Sequence, residues 1–323
     1  MRLSILKGTK EKIMKKIIAA TALFCSLLLG ACSNSQSNDA DPAKDAGLSI
    51  VTTFYPMYEF TKEVVGDAGE VSLLIPAGTE PHDFEPSAKD MAKIMEADAF
   101  VYNSPALETW VSNVTDSIDT KQTAIIEAAQ DIDLAENEEE HDHEEADHDH
   151  ELDPHVWTDP VLAIQEVKTI RDQLSEAYPD QKDQFTENAA AYIEKLEALD
   201  KAYSQAFKEA TQRTFVTQHA AFGYLARQYD LVEASISGIS PDQEPTPSRL
   251  AELKEYVEEN QVKVIYFEEN ASSKVAETLA NETGIELAVL NPIESLTQEQ
   301  MDNGETYLSV MEDNLSALQK SIK

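Results

Sequence analysis

Seven histidines are spread over 323 residues, and their neighbours sort them into two groups. Four of them, His141, His143, His148 and His150, lie in residues 131–153, a stretch with 13 acidic side chains in 23 positions and no Lys or Arg. Such a composition cannot bury an apolar face and reads as a loop, either a solvated acidic surface or a weak collector of cations. The other three, His82, His155 and His219, each follow a strand candidate or its connecting loop. Open α/β sheets gather ligands at those carboxyl ends of their strands. A single histidine there is more often a cap or core residue, whereas three at matching positions favour one shared ion. A fourth donor is then wanted, and the loop after the last strand candidate offers Glu294 in Asn291-Pro292-Ile293-Glu294. Three neutral imidazoles and one carboxylate form a four-coordinate shell suited to zinc. Glu80, Asp83, Glu268 and Glu269 are acidic alternatives near the same loops, and water can fill a fourth position.

Loops so far apart in sequence need a framework that brings strand ends together. From Leu48 onward, short apolar or β-branched runs alternate with longer amphipathic ones, the pattern of an α/β fold with mostly parallel strands. Two series appear. The first places strands near residues 48–54, 71–75, 99–103 and 123–126, and helices from about Pro56, Ser87 and Leu107. The second places strands near residues 214–217, 231–235, 262–267 and 286–290, with a last helix over 298–322. Between them, residues 181–210 contain no Pro or Gly and space Tyr192, Leu196, Leu199, Tyr203 and Phe207 three or four apart, as one buried helical stripe requires. The expected architecture is two lobes, each a mostly parallel sheet flanked by helices, joined by a long rigid helix, with a metal site in the cleft between them. The boundaries expected are an N-terminal lobe over 47–160, a helical link over 161–211 and a C-terminal lobe over 212–323.

Composition narrows the partners. With 61 acidic against 25 basic residues the net charge is -36, which argues against nucleic acid, because phosphate binding needs clustered Lys and Arg. Residues 1–31 read as a processing segment: Met14-Lys15-Lys16 is the positive end, and the 15 uncharged residues 17–31 are too short to span a bilayer as a helix. The run closes on Leu29-Gly30-Ala31-Cys32, which resembles the lipobox at which a bacterial lipoprotein is cut before a lipid-modified Cys32. Met14 is an alternative start. Cys25 lies in the segment to be removed, so the mature chain is expected to have no disulfide. Residues 32–46 are rich in Ser, Asn and Asp and read as a flexible tether.

The motifs around the three isolated histidines resemble those of the metal-binding lipoproteins of ABC importers, in particular the zinc branch of the zinc and manganese solute-binding family. They are Pro81-His82-Asp83-Phe84-Glu85-Pro86, Asp153-Pro154-His155-Val156-Trp157 with Asp159-Pro160, and His219-Ala220-Ala221-Phe222-Gly223-Tyr224-Leu225, with Glu244-Pro245-Thr246-Pro247 before a helix of the second lobe. The resemblance covers nearly the whole mature chain. It implies that His82, His155 and His219 ligate the metal and that Glu294 matches the family's acidic fourth ligand. A third imidazole at His219, where relatives of the manganese branch usually place a carboxylate, tilts the choice to zinc.

What the resemblance implies is a monomer held by lipid on Cys32 at the outer face of the cytoplasmic membrane, as in a Gram-positive bacterium. It would capture zinc with high affinity and deliver it to an ABC permease and its ATPase. Three other readings are weighed against this: a zinc hydrolase, a manganese-binding homologue, and a surface adhesin or scaffold. Against the hydrolase, there is no His-Glu-x-x-His helix, no Gly-x-Ser-x-Gly elbow and no Walker loop. Phe54, Tyr55, Phe84, Trp157 and Phe222 near the proposed site are expected to be packing residues.

Overall fold

The computed structural model describes residues 47–136, 152–243 and 245–323. Residues 1–31, read above as a processing segment, residues 32–46 with Cys32, read as a tether, and His141, His143, His148 and His150 lie outside these residues.

The first series of apolar runs forms β1 (Leu48–Thr52), β2 (Gly69–Leu73), β3 (Ala99–Tyr102) and β4 (Ala124–Glu127). They are joined by α1 (Tyr55–Val65), α2 (Ala88–Glu96) and α3 (Val111–Thr115). The second forms β5 (Thr214–Thr217), β6 (Val232–Ser235), β7 (Val264–Phe267) and β8 (Glu286–Val289), separated by α6 (Gly223–Gln228), α7 (Pro247–Glu259) and α8 (Lys274–Thr283). Helices α4 (Pro160–Ala177) and α5 (Lys182–Phe207) lie between the two series, and α9 (Gln298–Asp302) and α10 (Tyr307–Leu318) close the chain.

Each series makes one four-stranded sheet, ordered β2-β1-β3-β4 and β6-β5-β7-β8, with every pairing parallel. Parallel neighbours need a crossover, which the intervening helices supply, and helices covering both faces leave strands such as β3 buried throughout. The stripe expected on the long helix is the buried one: Phe185, Ala189, Tyr192, Ile193, Leu196, Leu199, Tyr203 and Phe207 all face inward. Asn188 Nδ2 donates to Val64 O of α1 at 3.1 Å, and Tyr203 Oη donates to Met311 O of α10 at 2.7 Å. The helix is thus fixed to both lobes, and one apolar cluster runs along it from Ile50 and Phe60 to Phe215 and Tyr307. Phe54, Tyr55, Trp157 and Phe222 are buried in that cluster, and Phe84 packs against its edge.

The last helix departs from expectation. Residues 298–322 form two short helices instead of one, because Gly304 takes a left-handed φ of +79° and Thr306 caps a new start, accepting from Ser309 N. Among the described residues no helix is long and apolar enough to cross a membrane.

Candidate metal centre

Four loops meet where the two sheets face each other. His82 lies on the segment after β2, His155 on the segment between β4 and α4, His219 directly after β5, and Glu294 after β8. One ligand-type atom from each lies within 4.8 Å of all the others, the set singled out among the described residues as able to hold a metal.

Each loop is shaped by its own neighbours. Before α4, Asp153 Oδ1 accepts from the backbone N of His155 at 3.0 Å, and Asn103 Nδ2 donates to Pro154 O at 2.9 Å. Trp157 Nε1 donates to Pro292 O across the cleft at 2.7 Å, and Tyr307 Oη donates to Trp157 O at 2.6 Å. Asp159 then caps α4 by accepting from Val161 N, with Pro160 in the first turn where a missing N–H costs nothing. On the other side, Ile293 takes a left-handed φ of +62°, a strained conformation for a β-branched residue. It is held there by Asn291 Oδ1, which accepts from Ile293 N at 2.7 Å, while Asn291 and Asn314 exchange two further hydrogen bonds. The strained residue immediately precedes Glu294 and aims its carboxylate into the cluster.

Glu294 Oε1 lies 3.0 Å from His155 Nε2, 3.1 Å from His219 Nε2 and 3.4 Å from His82 Nε2, and the first and last of these imidazoles approach each other at 3.2 Å. An ion bonded tetrahedrally at about 2.0–2.1 Å would set its donors roughly 3.3–3.4 Å apart. Behind the ring of donors stand two carboxylates: His155 Nδ1 donates to Asp153 Oδ1 at 2.8 Å and His219 Nδ1 to Glu268 Oε1 at 2.5 Å. A carboxylate accepts only, so each Nδ1 carries its hydrogen and Nε2 is the atom left to bind a cation.

The charge balance favours protons where no ion competes. Burial works against a charged imidazole at His155, but the hydrogen bonds to Asp153 and Glu294 outweigh it and raise the group to about 9. His219 is likewise opposed by burial and raised well above the ordinary histidine range by Glu268 and Glu294. Burial would raise Glu294, yet His219 and the hydrogen bonds of the three imidazoles hold it well below the usual carboxylate range. A divalent cation entering this cluster would replace protons held by the same donors.

The acidic alternatives take other positions. Glu268 backs His219, and Glu80 Oε1 accepts from the backbone N of His82 at 3.0 Å, its carboxyl pushed up to about 8 by burial and by Glu294. Asp83 reaches Asp242 at the mouth of the cleft. The roles of Asp153, Asn291 and Asn314 were not marked by the sequence; only Asp153, two residues before His155, carried a usable signal, as a short acidic neighbour able to fold back on an imidazole. A larger groove of about 780 Å³ lies along β6 and α7, and none of the four donors lines it.

Two parallel-sheet lobes closing over a buried cluster of donors, with a long helix fixed to both, define a two-lobed cleft-binding protein. Residues 50–321 match the family described as zinc-uptake complex component A, periplasmic (ZnuA), and the chain belongs to that family. It is 55% identical over 312 residues to the zinc-binding lipoprotein AdcA of Streptococcus pneumoniae, which covers 95% of this chain but 61% of that protein, so the chain spans about three-fifths of that relative's length. It is 51% identical over 302 residues to the high-affinity zinc uptake system protein ZnuA of Bacillus subtilis, covering 92% of this chain and 95% of the relative. The crystal structure of the Zn(II)-bound ZnuA-like domain of S. pneumoniae AdcA superposes with a TM-score of 0.75 at 54% identity, over 85% of this chain and 99% of that one.

Proposed function

We propose that the chain captures zinc outside the cytoplasm with high affinity and delivers it to an ABC-type importer, with His82, His155, His219 and Glu294 as the ligands. The observation that carries this reading is the approach of three imidazole Nε2 atoms to one carboxylate oxygen at spacings near those of a tetrahedral shell. Three nitrogens and one oxygen suit zinc better than manganese, which favours more oxygen donors. Four protein donors also leave no open position for an activated water, which favours a carrier over a zinc hydrolase. The names of the relatives point the same way.

The wider assignment belongs to the same proposal. Residues 1–31 direct export, lipid on Cys32 holds a monomer to the outer face of the membrane, and the tether over 32–46 lets it reach the permease and its ATPase. Residues 47–160 and 212–323 act as the two lobes around a helical link over 161–211. His141, His143, His148 and His150 collect zinc near the cleft and raise its local concentration. Zinc titration of the chain from Ser33, beside His82→Ala, His155→Ala, His219→Ala and Glu294→Ala, tests the core of it. One tight zinc per chain, weakened by each substitution, is expected; four variants that bind like the parent would remove the cleft as the site.

A further inference from the structure

The three imidazoles of the cluster are not held alike. His155 and His219 are fully buried and each is pinned through Nδ1 by a carboxylate. His82 has no such carboxylate on its ring among the described residues, and its side chain is 9% exposed. It is carried by the strap of residues 76–86, anchored to its own lobe by Ile75 N donating to Thr53 O at one end and by Phe84 packed on Trp110 at the other.

Between those anchors the strap's backbone is hydrogen-bonded to the opposite lobe at Gly78. Gly78 N donates to Ser295 Oγ at 2.7 Å and to Leu296 O at 3.1 Å, and the Ser295 hydroxyl donates onward to Leu296 O at 3.4 Å. Asn270 Nδ2 steadies the same turn by donating to Ser295 O at 2.9 Å. Gly78 has a φ of +72°, the left-handed region that glycine enters without strain, with open space where a Cβ would stand. The strap also crosses the cleft where the Asp83 and Asp242 side chains are hydrogen-bonded. A cavity of only about 20 Å³, bounded by Thr79, Glu80, Glu268, Asn270, Glu294 and Ser295, separates strap from loop.

We propose that Ser295 is a positioning residue for His82: its hydroxyl clasps the strap to the loop bearing Glu294, making His82 the last donor to join the ion and the first to leave. The inference rests on the zinc reading above and adds what governs release. Opening the clasp frees His82 while His155, His219 and Glu294 stay in place, because the hydrogen bonds that support them, from Asp153, Glu268 and the Asn291–Asn314 pair, are not made with the strap.

Release of zinc from the full-length chain into excess chelator is timed for the parent, Ser295→Ala, His82→Ala and the double variant. Ser295→Ala is expected to release up to about tenfold faster, the upper scale of one lost hydrogen bond, with Ser295→Thr restoring most of the delay. In the His82→Ala background the same change is expected to add nothing. Parental release from Ser295→Ala, or equal acceleration with His82 absent, would overturn the proposal, since a hydroxyl that merely stabilises the fold acts whether or not His82 is present. A His82→Ala chain unable to hold zinc would also overturn it. Should Ser295→Ala not fold, Gly78→Ala strains the strap from the other side and must show the same dependence on His82. Failure of the zinc reading itself would look different: the parent would take up no zinc tightly.

Discussion

The two lobes repeat one strand order, yet they load the cleft from different places. The N-terminal sheet presents His82 and His155 beyond its two edge strands, β2 and β4, whereas the C-terminal sheet presents His219 beyond an inner strand, β5, and Glu294 beyond an edge strand, β8. The charge is divided unevenly too. The C-terminal lobe supplies Glu294, the one carboxylate that faces all three imidazoles, together with Glu268 behind His219; the N-terminal lobe supplies two imidazoles and Asp153. A shared topology therefore fixes where ligands can gather, and the individual loops decide which donors arrive.

Breaking the C-terminal contribution should have the largest effect. Glu294→Gln keeps the shape but removes the charge facing three imidazoles, and zinc affinity is expected to fall roughly a thousandfold, on the scale of removing one partner of a buried ion pair. A competition titration against a chelator of known affinity measures it. If Glu294→Gln cost no more than His82→Ala, the division between the lobes would be wrong.

Acidity tests the N-terminal side. His155 in the ion-free protein is raised to about 9, so it holds a proton at neutral pH that zinc must displace. Affinity should then climb as pH rises, by about tenfold per unit for each proton displaced, with no plateau below about pH 9, since His219 is raised as well. An imidazole in its ordinary state would let the curve flatten near about pH 6.5. Calorimetry in buffers of different ionisation enthalpy counts the protons released and separates the two cases.

The backing carboxylates offer a matched pair across the lobes. Asp153→Asn and Glu268→Gln should each weaken zinc by about 10- to 100-fold while leaving one zinc per chain. Comparable losses are expected, because each carboxylate fixes one buried imidazole; a silent Asp153→Asn would mean that the Pro154–Trp157 turn alone orients His155. The smallest effects concern the long helix. Tyr203→Phe removes a buried hydrogen bond to the C-terminal lobe and should lower stability by about 1–2 kcal/mol, whereas Asn188→Ala removes a part-buried one to the N-terminal lobe and should cost less. Thermal unfolding of both ion-free variants reports the order.

The framework was legible in the sequence because burial on both faces writes continuous apolar runs into parallel strands, as in Ala99–Tyr102, and a single stripe into the long helix. The four residues of the cluster stood out because His82, His155, His219 and Glu294 each follow such a run, and the structure brings their side chains together. What was not legible depends on pairings formed only after the lobes close. The left-handed Ile293 is tolerated because Asn291 and Asn314, 23 residues apart, lock its turn, and nothing in the local string announces it. The contact of Gly78 with Ser295 spans 217 residues, so neither residue's type hints at the other. The break at Gly304 was the more readable miss, since a glycine followed by Thr306 is a helix stop and a fresh cap.

The long helix carries a consequence for any docking partner. Its 26 residues make a strut about 39 Å long, bonded to α1 near one end and to α10 near the other. A strut tied in this way to both lobes holds their separation nearly constant, so any motion of one lobe against the other would be a tilt about it. A receptor gripping both lobes would therefore sense such a motion as a change of angle, greatest at the surfaces farthest from the strut.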